Sequence, residues 1–413
     1  MKRCWVWFFL AVFPLMVVWA VTNPMFASPD EPAHMVRSQG IVRGQFDGPY
    51  KVDGIPVDDV SCLAFQPEVS ADCMALEWAD APTYEESTAT NYPPLFHFLA
   101  GLPSLFVHGL TGAYVMRLWM ALLCSSLLAW AGAILLARYR SSFMVLGWAL
   151  SITPMVLFLS ATVNPSGLCT ALGALVWASG MVLADAKDDQ DRRWLRWLRW
   201  VLAGGAVALL LVRRDSLLWL ATIGLSLLAM RPDVLRKPWT RRRAAAAAVL
   251  VGAAGGSVVL WVAPSWSFLS AGNNGRSRWG SMPIDTYTYV RQAVGWFGWL
   301  DTPLSGPVMA GALLTLGSFL LLGLVASTGA IRRAMVVVGM SVFLVPLVVA
   351  EFRYPYFQGR YYLPLAVGGF FLAGRALASA NMSRRLGNGL VGMLGILWAV
   401  VQISAVVVNV KRY

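Results

Sequence analysis

The stretch that decides the fold is the apolar run CWVWFFLAVFPLMVVWAVTNPMF at residues 4–26, followed directly by SPDEPAH at residues 28–34. An apolar run of this length can cross a bilayer as a helix. Lys2 and Arg3 precede it, so we expect a first helix with a cytoplasmic N-terminus. A secretory signal peptide is the disfavoured alternative, because the run is too long for a typical h-region and residues 28–30 make a poor cleavage site.

Two adjacent carboxylates, Asp30 and Glu31, together with His34 therefore lie where the first helix leaves the membrane. Charge at a membrane boundary is costly unless it is solvated or used, so the pair is a functional-site hypothesis. The structural alternative is a helix cap, with Asp30 as N-cap and Pro32 in the first turn. The two interpretations are compatible, since a helix start also orients a carboxylate and keeps it ionised.

Composition places the whole chain among polytopic helical membrane proteins. Of its 413 residues, 58% are hydrophobic and only 13% are charged, far less charge than a soluble protein carries. The 19 tryptophans suit aromatic belts at the membrane interfaces. A net charge of +12 is also typical of nucleic-acid binding, but the basic residues cluster between apolar runs, as the positive-inside rule predicts. We therefore expect no nucleic-acid partner.

We predict an all-α polytopic fold of about eleven transmembrane helices in a single integral membrane domain, residues 1–413. The loops after the even-numbered helices carry arginine pairs or clusters, which places these loops inside. Two long extracytoplasmic loops follow from this topology, a large first one at 27–112 and a second at 265–306. The helix count is open at 95–110, which suits an interfacial or re-entrant helix, and at 201–230, where both helices are short.

Three predicted helices bear most on the fold. The third covers 143–161, and the seventh covers 244–264. The fifth is short, 201–212, and follows a basic, tryptophan-rich segment at 187–200 that we interpret as a cytoplasmic interfacial belt.

Cysteine and histidine spacing indicates a disulfide rather than a metal centre. Cys62 and Cys73 lie together in the first outward loop, where an extracytoplasmic environment would allow them to form a disulfide. Their spacing matches no common zinc pattern, and neither does that of His34, His97 and His108.

Arginines at the outer ends of predicted helices suggest an anionic ligand. Arg213, Arg214, Arg353 and Arg360 all fall there, at the level of Asp30, and the planar guanidinium can bind phosphate through two hydrogen bonds. Anchoring to lipid headgroups would explain any one of them. Four such arginines on the side of an acidic pair favour an anionic, lipid-phosphate-like ligand. Neighbouring aromatic side chains would suit a sugar, although interfacial aromatics are ordinary in membrane proteins.

Four ordered motifs resemble the signatures of an uncharacterised bacterial polytopic membrane-protein family, a domain of unknown function. They are PDEPAH at 29–34, NYPPL at 91–95, GWLDT at 298–302 and QGRY at 358–361. The acid pair after helix 1 and the large first loop also resemble the GT-C superfamily of membrane glycosyltransferases, which take sugars from polyprenyl-phosphate-linked donors on the outer face of the membrane.

The resemblance implies an inverting sugar transfer in which Asp30 is the general base on the acceptor hydroxyl. Glu31 would be the second acid, helping the base, positioning the acceptor or contacting a divalent cation, which some members use. Arg360 would hold the donor phosphate, with Arg213 and Arg214 as helpers. The remaining candidate substrate-binding residues are Tyr361, His34, Asn91, Asn164, Trp299 and Asp301.

This interpretation locates the chain in the bacterial cytoplasmic membrane with an extracytoplasmic active site. Its expected partners are a lipid-linked sugar donor, a cell-envelope glycan, lipid or protein acceptor, and membrane lipids. Two alternatives stay open. A transporter or flippase of an anionic lipid-linked substrate would carry charges at mid-membrane depth, which we expect the helix interiors to lack. A non-catalytic envelope assembly protein would use Asp30 only as a cap.

Overall fold

The computed structural model describes residues 1–56, 62–74, 77–78, 81–186, 191–233, 248, 252, 255, 282–353 and 357–413. Nearly all of its regular structure is α-helical. In chain order the first helices are α1 (Lys2–Thr22), α2 (Glu31–Val42), α3 (Pro94–Gly101), α4 (Gly109–Tyr139), α5 (Ser142–Ser151), α6 (Pro154–Ser160), α7 (Pro165–Ala184), α8 (Arg192–Val212) and α9 (Ser216–Met230). They are followed by α10 (Met282–Gly295), α11 (Gly306–Ala326), α12 (Gly329–Arg353), α13 (Leu363–Ala378) and α14 (Arg384–Arg412).

Two small antiparallel ribbons belong to the segments between helices. Strand β1 (Tyr50–Val52) pairs with β2 (Thr83–Glu85) in the first loop. Strand β3 (Trp296–Phe297) pairs with β4 (Thr302–Pro303) just after α10. Both ribbons are short, so they shape loops rather than form a core of their own.

The described helices confirm the predicted multi-pass membrane architecture. Eight of them are long and apolar enough to cross a bilayer, or nine if the bent pair α5–α6 counts as one span. The predicted total of about eleven stays a prediction, since the predicted helix at 244–264 lies outside the described residues except for isolated positions. Region 95–110 holds only the eight-residue α3 and a 3-10 turn, Leu102–Leu105, before α4 begins. These are too short to span, as expected.

The predicted helix at 143–161 is two helices, α5 and α6, bent by 62°. The break falls at Ile152 and Thr153, immediately before Pro154, because a residue preceding proline is disfavoured in the α conformation. The Thr153 hydroxyl accepts a hydrogen bond from the Val156 amide and donates one to the Ala293 carbonyl. The bend thus gives α6 its own N-terminus and attaches it to α10.

The short helix predicted at 201–212 is wrong, since α8 already begins at Arg192. Asp191 supplies the N-cap through a 2.8 Å bond from the Arg193 amide to its carboxylate. The basic, tryptophan-rich segment therefore forms the first turns of a helix long enough to span. Arginine has a high helix propensity, which favours this continuation.

Helix α7 is the centre of the bundle, and almost all of its residues are buried. It packs against α4, α8 and α13, while α1 packs on α4 and α5 packs on α13. Helices α7 and α13 approach closely at Gly368, where a Cβ would lie 2.0 Å from the Trp177 ring. This packing brings the segment before α13 beside the start of α7.

The first loop is closed by a disulfide and held by the last helix. Cys62 and Cys73 are joined, as predicted. Arg412, near the end of α14, donates a 2.7 Å hydrogen bond to the Gln66 carbonyl inside that disulfide loop. The end of α14 thus contacts the first loop.

Candidate functional site

Asp30 occupies the N-cap position of α2 but does not cap the helix with its side chain. Its backbone is left-handed, with φ of 63°, and its carboxylate makes no capping hydrogen bond. Pro32 follows in the first turn, as a helix start allows. The helix-cap interpretation therefore accounts for the backbone position and leaves the carboxylate available.

The Asp30 carboxylate pairs with Arg360, the two residues being 330 positions apart in the chain. Arg360 Nη2 donates to Asp30 Oδ2 at 2.6 Å. The Asp30 side chain is 46% exposed, whereas the Arg360 side chain is 4% exposed. The pair thus presents an accessible carboxylate backed by a buried guanidinium.

Helix α10 fixes the position of Arg360. Arg360 lies in a 3-10 turn, Gly359–Tyr362, that leads directly into α13. The Gly359 amide donates to Gln292 Oε1 at 2.8 Å, and the Tyr362 hydroxyl donates to the Tyr289 carbonyl at 3.1 Å. Both anchors are on α10, so the turn has little freedom to move.

Two of the nitrogens of Arg360 have no hydrogen-bond partner among the described residues. Nε and Nη1 are both buried and make no hydrogen bond of ordinary geometry, although the Tyr361 side chain lies beside the guanidinium. Buried polar groups in proteins are nearly always hydrogen-bonded, and the exceptions call for an explanation such as a missing ligand. A guanidinium with two free donors beside its carboxylate partner is suited to an anion with several oxygens, such as a phosphate.

Arg213 is held more tightly, within a stack of alternating arginines and tyrosines. Its guanidinium lies 4.4 Å from the Tyr361 ring centre and 5.7 Å from that of Tyr92. Arg360 lies 5.4 Å from the same Tyr361 ring. Arg213 also donates to Ser166 Oγ at 2.7 Å and to the Asp215 carboxylate at 2.8 Å. These contacts make Arg213 a fixed positive charge beside Arg360.

Glu31 is fully buried and pairs with Arg117 of α4, whereas Asp30 pairs with Arg360. Arg117 Nε and Nη2 donate to the two carboxylate oxygens at 2.8 and 2.5 Å. Both side chains are 0% exposed. Asp30 and Glu31 are thus committed to different arginines, and the two carboxylates do not fit a shared metal site. Within the described ranges, no group of three or more His, Cys, Asp or Glu is arranged to hold a metal ion.

Asn164 fastens the backbone that precedes Asp30. Its Oδ1 accepts from the Ser166 amide and so caps α7, while its Nδ2 donates to the Pro29 carbonyl at 3.1 Å. Ser28 adds a 3.2 Å bond to the Thr162 hydroxyl. Asn164, predicted to bind substrate, therefore has a structural task next to the site.

His34 lies one turn after Asp30 and packs against the first loop. Its Nδ1 is 3.2 Å from His97 Nε2, and its ring meets the Tyr92 ring edge-on at 5.0 Å. Burial raises the pKa of the Tyr92 hydroxyl to about 12. The direct neighbours of the His34 ring are thus another histidine and a tyrosine.

The remaining predicted site residues contact other parts of the chain. Arg214 donates through Nε to the Asn91 carbonyl, which ties the turn after α8 to the first loop. Trp299 donates to the Phe26 carbonyl at 3.1 Å. Asp301 lies 3.8 Å from Arg412 rather than beside Asp30. The side chain of Arg353 is outside the described part of the structure.

Three residues near the site escaped the sequence prediction, namely Arg117, Arg37 and Tyr92. Arg117 lies inside a predicted membrane helix, so the expectation that helix interiors lack charge is wrong there. An arginine in such a run needs a buried partner, so its position was a signal that could have marked it; the structure shows that the partner is Glu31. Arg37 donates to the Tyr92 carbonyl at 2.8 Å and also to that of Ala89, which holds Tyr92 in place. No sequence signal marked that contact.

The environment of His34 predicts a loss of stability in acid. Burial, followed by the nearby charges of Arg213, Arg360 and Arg37, lowers the pKa of His34 well below its ordinary value. The unfolded state therefore binds the proton of His34 more tightly than the folded state does. The contribution of neutral His34 to stability is fully present above the pKa of the unfolded state, about 6.5, and is lost as the pH falls below that value. Thermal unfolding in detergent should show a smaller decline between neutral and acidic pH for His34→Gln than for wild type. Equal declines in wild type and His34→Gln would contradict the prediction.

Gly359→Ala is expected to destabilise the turn that carries Arg360. A Cβ at this position would lie 1.9 Å from the Tyr289 carbonyl oxygen, so the turn must shift away from α10. We expect a loss of about 1–3 kcal/mol in the free energy of unfolding, the usual range for overpacking. Gly311→Ala in α11 is the matched control, since a Cβ there meets nothing within 4 Å. Equal stability of the two variants, measured by denaturant unfolding, would refute this account of the turn.

Comparison with known proteins places this arrangement in context. Residues 13–369 match the family described as "Predicted membrane protein (DUF2142)". No curated protein matches the chain significantly. The crystal structure of ArnT from Cupriavidus metallidurans in the apo state is similar, with a TM-score of 0.53 and 18% identity over 95% of this chain and 63% of that one. The crystal structure of ArnT from Cupriavidus metallidurans bound to undecaprenyl phosphate has a TM-score of 0.49 and 19% identity, over 94% of this chain and 62% of that one. The chain thus spans less than two thirds of ArnT, and the likeness shows a fold of the GT-C type.

Proposed function

The chain belongs to the DUF2142 family of predicted membrane proteins, and we propose that it is a glycosyltransferase using a polyprenyl-phosphate-linked sugar donor. A fold of the GT-C type, shared with ArnT, makes a membrane glycosyltransferase the first class to consider. The single observation that carries the proposal is the pairing of the exposed Asp30 carboxylate with the buried Arg360, which keeps two donors free.

Asp30 is the general base in this proposal. The acceptor hydroxyl oxygen attacks the anomeric carbon of the donor sugar, and the bond from that carbon to the phosphate oxygen breaks with inversion. The hydroxyl proton passes to the Asp30 carboxylate, and polyprenyl phosphate leaves. An exposed carboxylate with one oxygen fixed by Arg360 is suited to this task, because the other oxygen is available to the acceptor.

Arg360 binds the donor phosphate in the same step. Its Nε and Nη1 would donate to phosphate oxygens while Nη2 stays on Asp30, so one guanidinium aligns the leaving group with the base. Charge-assisted hydrogen bonds stabilise the negative charge that develops on the departing phosphate. Arg213, fixed by Ser166 and Asp215, adds positive potential through the Tyr361 ring.

An apolar cavity near Arg360 suits the first part of a prenyl chain. It has a volume of about 430 Å³ and lies between α10, α11, α12 and α13. Its lining includes Tyr362 and Leu363, which follow Arg360 within three residues. A lipid whose phosphate meets Arg360 could therefore place its tail among aliphatic side chains, where burial of apolar surface favours binding.

The proposed reaction takes place on the outer face of the bacterial cytoplasmic membrane, with the N-terminus inside. Support comes from the arginine pairs at the opposite helix ends, such as Arg138 with Arg140, which the positive-inside rule assigns to the cytoplasm. The disulfide of the first loop is also typical of an oxidising compartment. The acceptor is a cell-envelope glycan, lipid or protein, recognised by the two long loops.

Reconstitution tests the proposal directly. The purified chain in lipid nanodiscs is incubated with a panel of undecaprenyl-phosphate-linked radiolabelled sugars and a delipidated envelope extract. The expected result is label in the extract and an equal amount of released undecaprenyl phosphate. Binding of undecaprenyl phosphate alone is measured in parallel by native mass spectrometry. Absence of both binding and transfer would overturn the proposal, and translocation of intact lipid-linked sugar across vesicles would favour a transporter.

A further inference from the structure

Every hydrogen-bond donor of the buried Arg117 is occupied. Its guanidinium has five N–H groups, and each has an acceptor. Two go to the Glu31 carboxylate, and the other three go to the carbonyls of Ala20, Asn23 and Pro24 at 3.1, 2.6 and 2.8 Å. With no donor left, Arg117 has no capacity to bind a ligand.

Both carboxylate oxygens of Glu31 are also hydrogen-bonded, and the third bond to this carboxylate comes from another part of the chain. Besides Arg117, its Oε1 accepts from the Val163 amide at 3.1 Å. The ion pair thus joins the end of α1, the start of α2, the side of α4 and the turn before α7. Asp30 lies at the junction of these four elements.

The backbone of Asp30 needs such support. A left-handed conformation at a residue other than glycine is unfavourable and persists only where the surroundings impose it. The side chain of Asp30 gives no capping bond to help. The restraints lie on its two neighbours, through the Glu31 carboxylate on one side and the Pro29 carbonyl, bound by Asn164, on the other.

We propose that Glu31 and Arg117 are positioning residues, whose buried ion pair holds Asp30 in its left-handed conformation and so directs its carboxylate to Arg360. Glu31 touches no substrate in this proposal. The statement rests on the proposed function only in that Asp30 is taken as the base. The conformation that the ion pair imposes is a property of the fold and can be tested without any sugar.

The kinetic test uses Glu31→Gln and a double variant, Glu31→Met with Arg117→Met. The double variant removes both buried charges, so neither is left unpaired, and apolar replacements of buried ion pairs are often tolerated. Misplacement of a catalytic group by about 1 Å costs about 100-fold in rate, so we expect kcat to fall by about that factor in both variants. The KM for the donor should stay unchanged, because Arg360 is anchored on α10 and not on Glu31.

A matched control separates positioning from general damage. Asp185 accepts from Arg375 at 2.8 Å at the C-terminal end of α7, the end opposite Asn164, so Asp185→Asn breaks an arginine–carboxylate pair far from Asp30. This variant should keep the wild-type kcat even if it lowers the unfolding temperature. A wild-type kcat in the double variant, or a change confined to the donor KM, would overturn the proposal.

Amide hydrogen exchange provides the measurement that is independent of activity. Loss of the ion pair should speed exchange in the peptide covering residues 24–34, while peptides of α10 and α13 stay as protected as in wild type. Unchanged exchange at 24–34 in the double variant would refute the positioning role, whether or not wild type transfers sugar. Absence of transfer in wild type with faster exchange in the variant would refute the proposed function alone.

Discussion

Asp30→Asn is expected to lower the rate of sugar transfer by about 10³-fold, within the usual range for loss of a general base. The amide cannot take the acceptor proton, yet it can still accept the hydrogen bond from Arg360. Asparagine tolerates the left-handed conformation better than most residues, so the backbone should keep its shape. The side chain caps nothing, and therefore no loss of helix stability is expected. Single-turnover transfer measures the rate, and native mass spectrometry checks that undecaprenyl phosphate still binds.

The controls for Asp30 distinguish catalysis from helix capping. Serine is a good N-cap, so Asp30→Ser would be silent if the residue served only as a cap. Asp53→Asn is the matched carboxylate control, because Asp53 also pairs with an arginine, Arg43, at 3.1 Å in the first loop. It should leave transfer unchanged. Wild-type transfer by both Asp30 variants would rule out a catalytic role for Asp30.

Arg360→Met is expected to weaken undecaprenyl phosphate binding by about 100-fold. Hydrogen bonds to charged groups contribute about 1.5–3 kcal/mol each, and the two free donors together supply at least about 3 kcal/mol. Since each 1.4 kcal/mol is about tenfold in affinity, the loss reaches about two orders of magnitude. Arg360→Lys keeps the positive charge but loses the planar guanidinium that binds two oxygens at once. Its affinity for undecaprenyl phosphate should therefore lie between those of wild type and Arg360→Met.

Titration of undecaprenyl phosphate in nanodiscs measures these affinities. Arg375→Met supplies a matched control, because Arg375 also pairs with an aspartate but lies at the opposite end of the bundle. It should bind undecaprenyl phosphate as wild type does. Equal affinity of wild type and Arg360→Met would show that the two free nitrogens of Arg360 do not meet the phosphate.

The bundle itself could be predicted well, since it follows from local properties of the chain. Apolar runs at about 113–137, 168–184, 307–327 and 388–410 predicted α4, α7, α11 and α14 to within about four residues at each end, because a membrane helix must satisfy its backbone internally. The family resemblance and the GT-C type of fold are confirmed by the comparisons. Two helix boundaries were predicted wrongly, and single residues set both of them. Pro154 causes the bend between α5 and α6, and Asp191 caps the start of α8.

The site could be predicted only in part. The acid pair stands out in the chain because two charges at the end of an apolar run are rare, and the QGRY motif marks Arg360. That these residues meet depends on packing of α7 on α13 and on anchors from α10, which bring together positions 330 apart. Trp299 and Asp301, equally prominent in the sequence, are held elsewhere by Phe26 and Arg412.

Residues 28–34 illustrate the division between sequence and tertiary structure. Apolar length, charge asymmetry and a proline after two acids are enough to establish a membrane helix, its exit and the start of α2. These sequence features do not tell which of the two adjacent carboxylates faces the site. Asp30 and Glu31 are chemically equivalent in the sequence and differ only in the direction in which the folded backbone points their side chains. The left-handed backbone at Asp30 sets that direction, and it is imposed by Asn164 and Arg117, which lie far away in the chain. Burial of Glu31 and exposure of Asp30 are therefore decided by the packed bundle.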